Sequence, residues 1–114
     1  MPYLSIQTNQ AVGAAETDDL IRRASRLVAH ELGKPENYVM VTLAPPQPMM
    51  FGGTDAPCAY LELKSIGLPA ARTADLSRAL CQLLEAALKI PAARVYIEFI
   101  DARASHWGWN NATF

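Results

Sequence analysis

The sequence predicts an α/β (α+β) domain: two tandem β-α-β units that combine into one four-stranded mixed sheet with two helices on one face. Three observations predict it. Apolar residues recur with period two in short stretches and with helical period in longer ones, in the order strand, helix, strand, strand, helix, strand. Gly- and Pro-containing turns punctuate these stretches. The halves also match each other: Gly33-Lys34-Pro35-Glu36-Asn37-Tyr38-Val39 aligns with Lys89-Ile90-Pro91-Ala92-Ala93-Arg94-Val95 at an offset of 56, and Tyr3-Leu4-Ser5-Ile6 with Tyr60-Leu61-Glu62-Leu63 at an offset of 57. Residues 1–114 are therefore one domain of two pseudo-repeats, about 1–56 and 57–114.

Tyr3 to Thr8 alternates, with Leu4 and Ile6 on one face of a strand. Asn9 to Ala15 is a loop. Thr17 reads as an N-cap, with Asp18 and Asp19 in the first helical turn. Leu20, Ile21, Ala24, Leu27, Val28 and Leu32 then recur at helical spacing, and Gly33 and Pro35 end the helix. Tyr38 to Leu43 reads as a second strand, broken by Ala44-Pro45-Pro46-Gln47-Pro48. Met49-Met50-Phe51-Gly52-Gly53 is an apolar patch ending in a glycine turn.

The second unit repeats the plan. Cys58 to Lys64 reads as a strand ended by Ser65-Ile66-Gly67. Thr73 reads as the cap of a helix carrying Leu76, Leu80, Leu83, Leu84 and Leu88. Val95 to Ile100 is the fourth strand. The tail from His106 to Phe114 is aromatic and rich in turn formers. A helix-length crossover makes the strands within each unit parallel and the connection right-handed. Two helices cover one face of the sheet, so the apolar side chains expected on the other face call for oligomerisation, sheet against sheet, with the tail as an edge strand added to a neighbour.

Composition excludes several classes of function. Hydrophobic residues make up 51% of the chain, enough for a core. Ten basic and eleven acidic residues give a net charge of −1, and no Lys/Arg cluster stands out, so nucleic acid is not an expected partner. No apolar run reaches the roughly 18 residues of a membrane span, and no basic region precedes an apolar core as in a secretion signal. Cys58 and Cys81 fit neither a disulfide framework nor a metal motif and read as free thiols in a reducing compartment. A cytoplasmic location is expected, with non-conventional secretion left open. There is no Ser-His-Asp signature, no phosphate loop and no metal spacing. His30 and His106 read as solvated or structural.

The chemistry centres on Met1-Pro2. Removal of Met1 would turn the Pro2 nitrogen from an amide into a free secondary amine. An α-amine titrates at ~7.7–8.0, and burial or a neighbouring cation lowers that value, so the amine can serve as a general base near neutrality. With Met1 attached it cannot.

Over its whole length the chain resembles the macrophage migration inhibitory factor family of the tautomerase superfamily. The resemblance is carried by Met1-Pro2 with Gln7-Thr8-Asn9, Gly33-Lys34-Pro35 with Tyr38, Phe51-Gly52-Gly53, Pro57-Cys58-Ala59, Ser65-Ile66-Gly67, Arg94-Val95-Tyr96-Ile97 and the ending Gly108-Trp109-Asn110-Asn111-Ala112-Thr113-Phe114. It implies a homotrimer with sites at the subunit interfaces, no cofactor, and Pro2 as proton shuttle in keto–enol tautomerisation of phenylpyruvate- or dopachrome-type substrates. Lys34 matches the active-site lysine, able to hold a substrate carboxylate and to keep the Pro2 amine neutral. Ser65 and Ile66 match a loop whose backbone contacts substrate. Tyr96 matches a tyrosine from the neighbouring subunit, and Tyr38, Trp109 and Phe114 match rings of the pocket rim.

This chain departs from the pattern in four places. Leu61 replaces the second cysteine of a Cys-x-x-Cys pair, so dithiol redox chemistry is not expected. Glu98 stands where Asn is frequent, near the site and contributed by the neighbour, where it bears on the preference for acidic substrates. Trp107 replaces a smaller residue and can narrow the pocket. Lys64 replaces a histidine and is expected to matter less. The expectation is an isomerase taking a small aromatic 2-oxo acid. The alternative is a cytokine-like interaction protein with a protein receptor and a weak or vestigial pocket. A hydration, dehalogenation or decarboxylation on the same proline is a third reading, opposed by the lack of a paired-arginine clamp.

Overall fold

The four predicted strands and two predicted helices are all present in the computed structural model, which describes residues 1–114. Strand β1 (Tyr3–Thr8) leads through a loop to helix α1 (Ala14–Leu32), a 3-10 turn (Glu36–Tyr38) and strand β2 (Met40–Leu43). The second unit runs through β3 (Ala59–Ile66), α2 (Thr73–Leu88), a 3-10 turn (Ala92–Arg94) and β4 (Val95–Ala102). The sheet order is β2-β1-β3-β4. β1 and β2 are parallel, as are β3 and β4, while β1 and β3 join the two units antiparallel, with Leu4 opposite Leu63 and Ile6 opposite Leu61.

Alternation along the inner strands produces the core. Leu4, Ile6, Leu61 and Leu63 are fully buried against Leu20, Ala24 and Val28 of α1 and Leu76, Leu80 and Leu84 of α2. Fully burying such a side chain contributes roughly 1.5–3 kcal/mol, so this layer holds the two units together.

The structure corrects several boundaries. Thr17 does not cap α1. The helix begins at Ala14 behind Gly13, whose extended backbone (φ −65°, ψ 163°) is the N-cap, and the Thr17 amide already donates to the Gly13 carbonyl at 2.8 Å. Asp18 and Asp19 pair with Arg22 and Arg23 one turn on. Thr73 is the first residue of α2 and its hydroxyl donates to the Ala70 carbonyl at 3.0 Å, because a 3-10 turn (Ala70–Arg72) feeds directly into the helix. Tyr38 belongs to a 3-10 turn, its amide bonded to the Pro35 carbonyl, and β2 starts only at Met40. Ser65 and Ile66 are the last residues of β3, opposite Asp101 and Ala102 of a longer β4.

One larger expectation also changes, and the tail takes a definite form. The sheet face away from the helices is only partly apolar. By alternation it is mixed, presenting Tyr3, Ser5, Gln7, Tyr60, Glu62, Lys64, Thr42 and Glu98 beside Ile66, Ile100 and Ala102, with exposed Met40 and Tyr96 toward the two edge strands. The tail folds back on its own chain: β5 (Gly108–Trp109) pairs with β6 (Ala112–Thr113) through Asn110 and Asn111 at φ 51° and 63°. Two consecutive left-handed residues make the type I′ hairpin turn that Asn favours.

Candidate active site

Pro2 lies at the start of β1, fully buried, and its carbonyl accepts the Met40 amide at 3.0 Å. The chain therefore enters the sheet with its first two residues held in place. A cavity of about 460 Å3 opens there, with Met1, Pro2 and Tyr3 on its floor. The 3-10 turn contributes Asn37 and Tyr38, and the tail contributes Trp107, Trp109 and Phe114. The rings brace one another. Trp109 stacks on Phe114 at 5.2 Å and 12°, and Tyr38 stands edge-on to both, at 5.6 and 6.0 Å. Such edge and offset contacts add about 0.5–1.5 kcal/mol each beyond burial, so the wall is preformed.

Lys34 follows Gly33, which ends α1 in the left-handed conformation (φ 62°). The Lys34 ammonium donates to the Ile66 carbonyl at 3.3 Å, and the buried Ser65 hydroxyl donates to the same carbonyl at 3.4 Å. Its charge reaches the chain terminus. The Met1 ammonium is held below the ordinary 8.0 of an α-amine, first by burial and then by repulsion from Lys34. Both effects disfavour the protonated amine.

Of the residues singled out in the sequence, the fold thus brings Pro2, Tyr38, Trp107, Trp109 and Phe114 onto one cavity, with Lys34, Ser65 and Ile66 joined to one another by hydrogen bonds. It does not bring Tyr96 and Glu98 there within one subunit. Tyr96 packs on Phe51 at 4.5 Å and is 65% exposed on edge strand β4, and Glu98 accepts a hydrogen bond from Tyr60 at 3.2 Å. Sequence reasoning missed Tyr3, Met40 and Asn37, and gave Lys64 a lesser part. Lys64 is the only charged side chain on the cavity wall. Tyr3 pairs with Met40 on one side and Lys64 on the other, so the three form a row across the sheet. Only the β1–β3 register reveals that row. A larger depression of about 630 Å3 between Asn9, Gln10 and Pro46–Met50 is open and gathers no comparable set of groups.

The fold and this terminal cavity define a small α/β domain built around its own amino terminus. The chain belongs to the macrophage migration inhibitory factor (MIF) family, whose description it matches over residues 1–114. It is 42% identical to a MIF homologue of Brugia malayi and 37% identical to the MIF of Mus musculus, each over 100% of this chain and 99% of the relative. Among solved structures it superposes on a MIF homologue from Prochlorococcus marinus (42% identity, TM-score 0.93, 98% of each chain) and on the Toxoplasma gondii MIF (34% identity, TM-score 0.93, 98% of this chain and 99% of the other). The family is one of tautomerase-type isomerases. No helix is long and apolar enough to cross a membrane.

Proposed function

We propose that this chain is a cofactor-independent keto–enol tautomerase of phenylpyruvate- or dopachrome-type substrates, with the Pro2 amine as general base once Met1 is removed. The observation that carries the reading is Pro2 buried beside a preformed aromatic cavity, in surroundings where burial and Lys34 already depress the neighbouring Met1 amine. A base must be neutral at working pH, and both effects favour the neutral amine. The amine removes the proton α to the substrate carbonyl and returns it to the other end of the enol. The Tyr38, Trp107, Trp109 and Phe114 rings sandwich a planar aryl group.

The homotrimer is part of this proposal. Two observations support it: β2 and β4 both end the sheet with open edges, and each edge carries an exposed apolar side chain, Met40 and Tyr96. A contact between two different edges is head-to-tail and forms a ring when its rotation closes. In that ring Tyr96 and Glu98 of one subunit approach the Pro2 cavity of the next. The cytoplasmic location rests on the free thiols of Cys58 and Cys81.

The test is direct. Intact mass gives the state of Met1, and Pro2→Gly lowers phenylpyruvate ketonisation by about 10²–10⁴-fold, the usual contribution of a positioned base, with the assembly intact. Turnover unchanged in Pro2→Gly overturns the base assignment. A wild-type protein with Met1 removed and no turnover moves the cytokine-like, receptor-binding reading ahead.

A further inference from the structure

We propose that Asp101 is a positioning residue for Lys34, fixing the turn after β3 that holds the Lys34 ammonium in place; this deepens the tautomerase reading of the cavity and rests on it. Three observations carry it. The Asp101 carboxylate accepts the Leu68 amide at 3.1 Å, a bond that spans 33 positions of sequence. That amide follows Gly67, which turns the chain at φ 69° directly after β3. The turn starts from Ile66, whose carbonyl accepts the Lys34 ammonium at 3.3 Å and the Ser65 hydroxyl at 3.4 Å.

Both charged groups are otherwise uncommitted. The ion pairs of the molecule use Asp18, Asp19, Glu31 and Asp75, and none engages Asp101 or Lys34. The Ile66 carbonyl is the one hydrogen-bond partner of the Lys34 ammonium, so the place of that charge depends on the place of the turn. The Leu68 side chain is buried in the core, which holds its amide at the turn. Without the Asp101 carboxylate that amide has no acceptor in the protein, and such a donor draws the backbone toward water. The Ile66 carbonyl then shifts, and Lys34 swings out to solvent.

The sheet register shows why the effect runs through the turn. Ser65 stands opposite Asp101 in the β3–β4 pair, and one residue beyond the Tyr3–Lys64 rung it comes level with Pro2. Pro2, Ser65 and Asp101 thus form a row across three strands. Two strand spacings of about 4.8 Å separate Asp101 from Pro2, close to the distance over which physiological salt screens a charge. Asp101 is exposed, so its own field at the terminus is weak. The other titratable groups at this end of the sheet are Tyr3, Tyr38 and Lys64 on the cavity wall, and Glu36 in the 3-10 turn after α1. Glu31, in the last turn of α1, is held by Arg72, and Arg103 follows β4. None of these hydrogen-bonds to the turn through its side chain. Lys34 lowers the terminal amine by repulsion, which makes that amine the reporter of where Lys34 sits.

The experiment follows the terminal amine of the purified protein by NMR titration and, in parallel, the acid limb of kcat/KM for an arylpyruvate. The proteins are wild type, D101A, D101N, D101E, K34Q and the double variant D101A/K34Q, with P2G as the control for turnover. D101A raises the amine midpoint, as K34Q does, because a displaced Lys34 no longer repels the protonated amine. Below the midpoint kcat/KM falls about two- to tenfold, the reach of one net hydrogen bond. D101N keeps the acceptor and retains the wild-type midpoint. D101E keeps the charge but misplaces it, moves with D101A, and replaces D101A if the latter fails to fold. In the K34Q background D101A adds no further shift. A direct field from Asp101 has the opposite sign: loss of an anion lowers the midpoint in D101A and D101N alike, and that result overturns the proposal. So does an unmoved midpoint in a D101A protein that is merely less stable to urea. If the midpoints move as stated while P2G matches wild type, or while wild type shows no turnover, the tautomerase reading falls and the positioning of Lys34 stands.

Discussion

Gly33 and Lys89 occupy the same left-handed helix end in the two pseudo-repeats, at φ 62°, ψ 35° and φ 59°, ψ 30°. The fold demands this geometry twice, and only the first unit meets it with the residue that adopts it freely. A left-handed non-glycine residue costs about 1–2 kcal/mol, partly offset by the unfolded-state entropy that glycine adds. Lys89→Gly should therefore stabilise the protein by about 0.5–1 kcal/mol. Gly33→Ala should destabilise it by about 1 kcal/mol, purely through the backbone, since a Cβ at Gly33 meets nothing within 4 Å. Urea midpoints at one fixed protein concentration measure both.

Arg94 fastens the 51–57 loop. Its guanidinium donates to the carbonyls of Phe51, Thr54, Ala56 and Pro57 at 2.9–3.3 Å and lies 5.2 Å from the centre of the Phe51 ring. Arg94→Ala should cost about 1–3 kcal/mol and open the loop to protease, at rates that limited proteolysis reads. Arg94→Lys should recover little, because an ammonium cannot fork across four carbonyls.

Activity should rise with pH on an acid limb set by the amino terminus. Only the neutral amine is a base; burial and the Lys34 charge hold the Met1 amine below 8.0, and the same two causes act on a Pro2 amine once Met1 is removed. Lys34→Gln removes one depressing cause, so the limb in kcat/KM moves to higher pH. A limb that stays put removes Lys34 from this role. The linked stability has a definite sign. A terminal amine with a lowered folded-state value binds fewer protons folded than unfolded, so stability falls as pH drops from 8.0 through the folded-state value and levels off below it.

Glu62 and Glu98 face each other directly across the β3–β4 pair. Like charges so placed are destabilising. Glu62→Gln should stabilise by about 0.5 kcal/mol, less in high salt because the pair faces solvent. The same charges reach Tyr60, whose phenol is raised above 10.0 by desolvation, then by Glu98 and Glu62. Glu98→Gln should lower its midpoint in an ultraviolet titration.

The layer plan was legible in the sequence because it rests on alternation and helical spacing, which Leu4, Ile6, Leu61 and Leu63 display openly. The repeat was legible too, and the matched turns at Glu36–Tyr38 and Ala92–Arg94 lie at the aligned positions. Helix starts were not. Thr17 looks like a cap locally, but the extended backbone at Gly13 begins the helix a turn earlier. The tail read as turn-rich, yet its pairing with itself depends on Asn110 and Asn111 both taking positive φ. At the site, the aromatic wall followed from a resemblance, whereas Lys64 did not. It reaches the cavity through its pairing with Tyr3, a relationship between residues 61 positions apart that no local pattern contains.

The chain has two tryptophans, and both stand on the cavity wall. The molecule thus carries its own optical reporter, placed where a ligand would enter and nowhere else. Emission changes on titration with a ring-bearing compound should read occupancy without any label. The same placement separates two kinds of melting. Indole emission follows the short hairpin and its aromatic stack, while backbone circular dichroism follows the leucine layer beneath the sheet. Should the hairpin peel away first, the two signals will part on heating, and the gap between them will measure how independently the mouth of the cavity breathes.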